Sequence, residues 1–519
     1  VAVITNIVGL QLLTLFFIFL VLGLLRFLCL TDAICSFSGV FGDLFAKICI
    51  LKVRFLSLVF FTQAGVRLVF FCVRCVFSWA LKIMRKTDLE LHDFSNFAGL
   101  YKSVSMIDFE KKVLSNGLRV IHHRDKSSLV AAVNVLYDVG SKDEATDKTG
   151  FAHLFEHLMF GGSANIPNFD RPVEFVGGEN NAYTSCDVTC YYMTLPKANI
   201  ETALWLESDR MLKLDFCQQS LEVQQQVVIE EYKQTYLNKP YGDVWGLLRK
   251  EVYKSHPYSW PTIGDGIAHV ETATLEDVER FFYTHYAPDN AVLSVVVDFD
   301  SDYVFGLVEK WFGDIPGRNV KPRSIPEEPE QTAPRFLEVY RPVPFDNIYL
   351  AFRMCKRGDD AFIAHDLCSD VLSNGESSRL VQRLLRNKEL FTYIDAYVTA
   401  EIETGLMIVT GTLLKGVSLA DAERAIWEEL ELLLAEGLSD YEYQKLINKA
   451  LSSLIYSEID PMSKAMMLAS SELRGDASLI NTEADRYLST TKEEVELAAK
   501  SVFRKENCTT LWYRADGTV

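Results

Sequence analysis

The stretch 317–335 constrains the fold of this chain most. It carries Pro322, Pro326, Pro329 and Pro334 among charged residues and few apolar side chains, so it buries too little surface for a core of its own and reads as a linker. The same order of elements recurs on either side. Upstream, the pattern predicts a hairpin over 113–122 around Ser115-Asn116-Gly117, a strand at Val130–Tyr137 and a helix from Thr149-Gly150. A strand at 182–194, helices at 200–214 and 220–237, and a strand at 291–299 follow. Downstream come strands at 336–340 and 348–354, a helix from Ala361, a strand pair within 392–410 and helices to the end. Two similar halves of about 200 residues are the simplest description. The expected class is α+β, with domains 106–316 and 336–519.

Composition divides the chain a second time, near Met106. Residues 1–105 hold 10 Lys/Arg and 5 Asp/Glu, net +5, which leaves 42 Lys/Arg against 65 Asp/Glu, net −23, in the remainder of a chain whose total is −18. A surface so acidic excludes a nucleic-acid backbone as the main partner. The run 7–25 is uncharged and 68–81 is broken only by Arg74. We read residues 1–105 as a hydrophobic extension, upstream sequence read through in frame, with the natural start at Met106. Lys47, Lys52, Arg54 and Arg67 lie among its apolar residues without amphipathic order. The alternative is a chain anchored in a membrane through 7–25, about the length a spanning helix needs. Cys72 and Cys75 form a lone CxxC, and Cys186, Cys190, Cys217, Cys355, Cys368 and Cys508 lack paired zinc-site spacing. They fit reduced thiols of a cytoplasmic protein.

The chemistry is concentrated between Gly150 and Gly162. His153 and His157 stand four residues apart, so on a helix both imidazoles leave one face and can fill two corners of a tetrahedral metal site. Glu156 lies beside them, placed to take a proton from water at the metal's open position. This is the HxxEH arrangement, the reverse of HExxH. Random placement gives about 0.01 such motifs in a chain of this composition. A third ligand fits on the acidic helix 221–232, where spacing leaves both Glu230 and Glu231 open.

These residues resemble the pitrilysin/insulinase family of zinc peptidases, in the branch similar to the mitochondrial processing peptidase. The resemblance runs from Met106 to the C-terminus. It includes the HLFEH box, Gly177-Gly178-Glu179-Asn180-Asn181-Ala182-Tyr183-Thr184-Ser185, Val227-Val228-Ile229-Glu230-Glu231, His256-Pro257-Tyr258, Tyr286-Ala287-Pro288-Asp289-Asn290-Ala291 and Gly375-Glu376-Ser377-Ser378-Arg379-Leu380. It implies two homologous α/β-sandwich domains, each a mainly antiparallel sheet flanked by helices, that form half of a clamshell. It also implies one zinc per chain on His153, His157 and Glu231, with Glu156 as catalytic base. A peptide substrate is expected to pair with the strand 181–192, touching Asn181 and Ala182, with Arg379 facing the cleft. The implied partner is a second copy or a related subunit, and the rival reading is a non-catalytic subunit of such a pair. Two positions depart from the family pattern. Gln224 replaces a Glu two helical turns before the third ligand, and Val381 replaces a Tyr after Arg379-Leu380.

Overall fold

The computed structural model describes residues 106–321 and 323–518. The readings on 1–105, including the uncharged run 7–25 and the Cys72/Cys75 pair, lie outside the described residues. In the first half the elements are β1 (Glu110–Val113), β2 (Arg119–His123), β3 (Val130–Tyr137), α1 (Phe151–Leu158), β4 (Glu179–Thr184) and β5 (Thr189–Pro196). They continue with α2 (Ile200–Leu212), α3 (Gln218–Tyr232), α4 (Val244–Val252), α5 (Leu275–His285), β6 (Ala291–Val296) and α6 (Ser301–Phe312). In the second half they are β7 (Arg335–Arg341), β8 (Asn347–Lys356), α7 (Phe362–Ser373), β9 (Phe391–Val398), β10 (Thr404–Leu413), α8 (Leu419–Glu436), α9 (Asp440–Ser457), α10 (Pro461–Leu473), α11 (Lys492–Val502) and β11 (Cys508–Ala515).

The first sheet runs β1-β2-β6-β3-β5-β4 and the second β7-β11-β8-β10-β9. Each contains one parallel pair, β2 with β6 and β7 with β11, among antiparallel neighbours. Remove β1 and the two sheets have one topology. The β1–β2 hairpin turns on Gly117 at φ 90. A Cβ there would approach Asp289 Cβ to 2.7 Å. Asn116 locks the turn by donating to the Phe312 and Ile315 carbonyls, each at 2.8 Å.

Strand β3, VAAVNVLY, reads as a near-continuous apolar run because both of its faces are covered. Val133 and Val135 join the core under the helices of their own half, with Phe155, Leu204 and Phe282. Ala132 and Leu136 face the other way and meet Met462, Ala465, Leu468 and Ala469 of α10, which belongs to the second half. The exchange is reciprocal. Val244, Leu248 and Val252 of α4 cover Leu406, Ile408, Leu511 and Tyr513 of the second sheet. Division at 317–335 therefore describes the repeat but not the packing, since each half lends a helix to the other's sheet. Ion pairs fasten both helices: Lys464 Nζ donates to Asp125 at 2.6 Å, and Arg249 to Glu401 at 2.7 Å. The segment 317–334 is itself tied down by polar bonds. Arg318 donates to the Tyr286 carbonyl at 2.7 Å, Glu328 accepts from the Lys254, Ser255 and His256 amides, and Gln331 donates to the Cys508 carbonyl at 2.9 Å.

Three expectations are corrected. The single strand 182–194 is a hairpin, because Ser185 turns the chain: its Oγ accepts from the Asp187 and Val188 amides at 3.1 and 3.0 Å, and its amide donates to the Val188 carbonyl. The helix expected over 220–237 ends at Tyr232 and continues as one wider π turn, Lys233–Leu237. The chain does not end in helices: β11 returns to the second sheet between β7 and β8. Among the described residues no helix is long and apolar enough to cross a membrane.

Candidate metal centre

Helix α1 starts at Gly150, whose φ of 89 and distance of 2.7 Å from a would-be Cβ to the Ile263 carbonyl oxygen admit only glycine. No adjacent side chain caps the helix. The cap comes from a distance: the buried Glu144 accepts from the Gly150 amide at 2.9 Å, the Ala152 amide at 2.7 Å and Trp260 Nε1 at 3.1 Å. Burial pushes the Glu144 carboxyl well above the usual range, against the pull of these bonds. Phe151, Ala152, Leu154, Phe155 and Leu158 bury one side of α1. By the helical period, His153, Glu156 and His157 are left on the other.

There α3 meets α1. Glu231 Oε2 lies 3.7 Å from His153 Nε2 and 3.2 Å from His157 Nε2. One ligand atom from each of the three residues falls within 4.8 Å of the others, the one such group of three or more among the described residues. Zinc bonds of about 2.0–2.1 Å place the corners of a tetrahedron roughly 3.3 Å apart, so two imidazoles and a carboxylate at these separations fit that ion. The charge states fit as well. Burial draws His153 below the ordinary imidazole range, which keeps it neutral. The hydrogen bond from His157 holds Glu231 below the usual carboxylate range. The neighbouring Glu230 is exposed and pairs with Lys233 at 2.6 Å, so helical geometry brings Glu231, not Glu230, to the histidines.

Glu156 is half-buried, and desolvation raises its carboxyl above the ordinary value even though Thr184 Oγ1 donates to Oε2 at 2.5 Å. Thr184 lies within the stretch 177–185, yet no local spacing marks it as a partner of Glu156, because its bond crosses from strand to helix. Asn181 and Ala182 sit on β4, which among the described residues is the edge strand and pairs only with β5. Asn181 Oδ1 accepts from the Ala182 amide at 2.8 Å. Gln224 lies two turns before Glu231 on α3 and is half-buried.

Arg379 is held by partners of the second half. It is buried, its guanidinium donates twice to Glu442 at 2.8 and 3.0 Å and to the Gly437 carbonyl at 2.6 Å. These contacts fasten the start of α9 within the second half. Val381 packs against the second core.

Two sheets of one topology, with a His, His, Glu set at one of them and a carboxylic acid alongside, define the class of two-domain metallopeptidase folds. The chain belongs to the insulinase family, peptidase family M16: the profile described as Insulinase (Peptidase family M16) matches residues 119–266, and that described as Peptidase M16 inactive domain matches 272–450. It is 33% identical over 289 residues to the Zinc protease PqqE of Helicobacter pylori, covering 54% of this chain and 64% of that protein. The chain thus spans just under two thirds of that relative. The beta subunit of the mitochondrial-processing peptidase of Caenorhabditis elegans is 28% identical over 216 residues, 41% of this chain and 46% of that one. Among solved structures, a protease from Helicobacter pylori superposes with a TM-score of 0.75 at 26% identity over 79% of this chain and 100% of its own. The periplasmic protease PqqL of Escherichia coli shares the fold at a TM-score of 0.67 and 19% identity, over 79% of this chain but 48% of that one.

Proposed function

We propose that this chain is a zinc metalloendopeptidase that cleaves unfolded peptides, with residues 106–316 as the catalytic domain and 336–519 as its non-catalytic homologue. The observation that carries the reading is the convergence of His153, His157 and Glu231, contributed by two helices, with Glu156 at their side. These three residues would hold the ion. Zinc, when bound, supplies a water of pKa about 7 and a positive charge for the carbonyl oxygen of the substrate. The chain's own residues do the rest. The free edge of β4 receives the peptide as an added strand at Asn181 and Ala182, a mode that reads backbone more than side chains. Glu156 accepts the proton of the attacking water and returns it to the leaving amine. Burial raises its carboxyl above the ordinary value, the direction that favours taking up a proton.

Family resemblance supports a pair of such units. The whole two-domain unit matches about one half of PqqL, so a second copy or a related subunit would complete an enclosed cleft. The six free cysteines beyond Met106 support the cytoplasmic reading. Metal content and cleavage of an unfolded peptide, with and without chelator, test the proposal. About one zinc per chain and chelator-sensitive cleavage are expected. Glu156→Gln should abolish turnover while zinc stays bound; surviving activity removes Glu156 from its role. Absence of zinc binding would sink the site. Zinc without cleavage, relieved by adding a related subunit, would show the pair to be the active form.

A further inference from the structure

We propose that Thr184 is a positioning residue that sets the Glu156 carboxylate and ties that setting to the strand on which substrate docks. The inference rests on the peptidase reading above. Glu156 stands on a short helix, and a free glutamate side chain samples many rotamers, whose loss costs up to about 2 kcal/mol. Thr184 removes that freedom. It is the last residue of β4, and its Oγ1 donates to Glu156 Oε2 at 2.5 Å. A β-branched side chain suits the task because its χ1 is stiff.

The holder is itself held. Thr184 faces Thr189 in the β4–β5 ladder, and the next residue, Ser185, closes the hairpin through its amide to Val188 and accepts from the Ser141 amide at 3.2 Å. The strand thereby occupies Oε2 of the carboxylate and fixes how the side chain is turned. Because β4 is also the sheet's free edge, a peptide added there orders the strand that orders the base. Docking and proton transfer share one element.

The test compares Thr184→Val, which keeps the shape and removes the donor, with Thr184→Ala and Thr184→Ser in the zinc-loaded full chain. Kinetics, zinc per chain and the crystal structures of the variants are all read. Loss of a group that orients a catalytic residue costs about 10- to 100-fold. We expect that loss in kcat for the Val and Ala variants, with KM and zinc content unchanged, and near wild-type turnover for Thr184→Ser. A Val variant with wild-type kcat, or a Ser variant as impaired as Val, overturns the proposal. Should the wild-type chain itself show no turnover, the peptidase reading fails on its own, and the structures still decide: a Glu156 carboxylate turned away in Thr184→Val supports the positioning role, and one unmoved refutes it.

Discussion

Glu230 and Glu231 differ by one position and about 100° of helical rotation, and that rotation separates a solvated ion pair from the proposed metal ligand. Glu230 ends on Lys233, whereas Glu231 ends between two imidazoles. Glu231→Gln is therefore expected to lower zinc affinity by at least about 100-fold and Glu230→Gln to leave it unchanged, as read by competition with a chromogenic chelator. Equal losses would show that the set is closed by another group. At this scale the sequence was legible wherever spacing and function share a period. His153, Glu156 and His157 follow from the helix repeat alone. Thr184 does not, because its bond to Glu156 crosses from strand to helix, and nothing local marks it. The pairing of Arg379 with Glu442, 63 positions away, was illegible for the same reason, since an arginine met in a motif carries no sign of what will neutralise it.

At the level of elements, α1 shows how an eight-residue helix is fixed firmly enough to carry chemistry. Its first turn has no neighbouring cap, so Glu144 reaches back to satisfy two orphan amides. Gly150 provides the left-handed entry. Gly150→Ala forces a Cβ into the Ile263 carbonyl at that entry, and a strained non-glycine residue in this region costs about 1–3 kcal/mol. A urea midpoint lowered accordingly, together with weaker zinc binding, is the expected result; an unchanged midpoint would mean the loop relaxes freely. The elements themselves were largely legible from periodicity, down to the recurrence of strand and helix order in the second half. The hairpin inside 182–194 was not, since its turn is built by a serine side chain and not by a Gly or Pro signal. Strand β11 was missed because the sequence before it is strongly helical, although Thr509, Thr510, Trp512 and Tyr513 are the β-branched and aromatic residues that strands favour.

For the whole molecule, the exchange of α4 and α10 means that neither half buries its sheet alone. The sequence gives no hint of this, because Lys464 and Asp125 stand 339 positions apart, and an amphipathic helix does not name the sheet it will cover. A chain cut at residue 330 would expose Ile121, Ala132, Leu136, Val292 and Val296, which α10 covers, and is expected to aggregate instead of folding. The Asp125–Lys464 pair makes the docking pH-dependent. Burial raises Asp125, but the hydrogen bonds from Lys464 and Ser127 outweigh it and hold the carboxyl down to about 2, against an ordinary value of 3.8. A carboxyl whose folded value lies below its unfolded one contributes stability that is complete above about pH 4 and disappears as pH falls toward 2. Lys464→Met removes the cation and strands a buried carboxylate, which costs about 3 kcal/mol near neutral pH. Below pH 2 Asp125 is protonated in either chain, so the gap between wild type and variant should close. Urea midpoints of both proteins from pH 6 to pH 2 read this directly. A gap that stays constant across the range would assign Lys464 to packing through its alkyl stem, and α10 would then be held on the first sheet by Met462, Ala465, Leu468 and Ala469 alone.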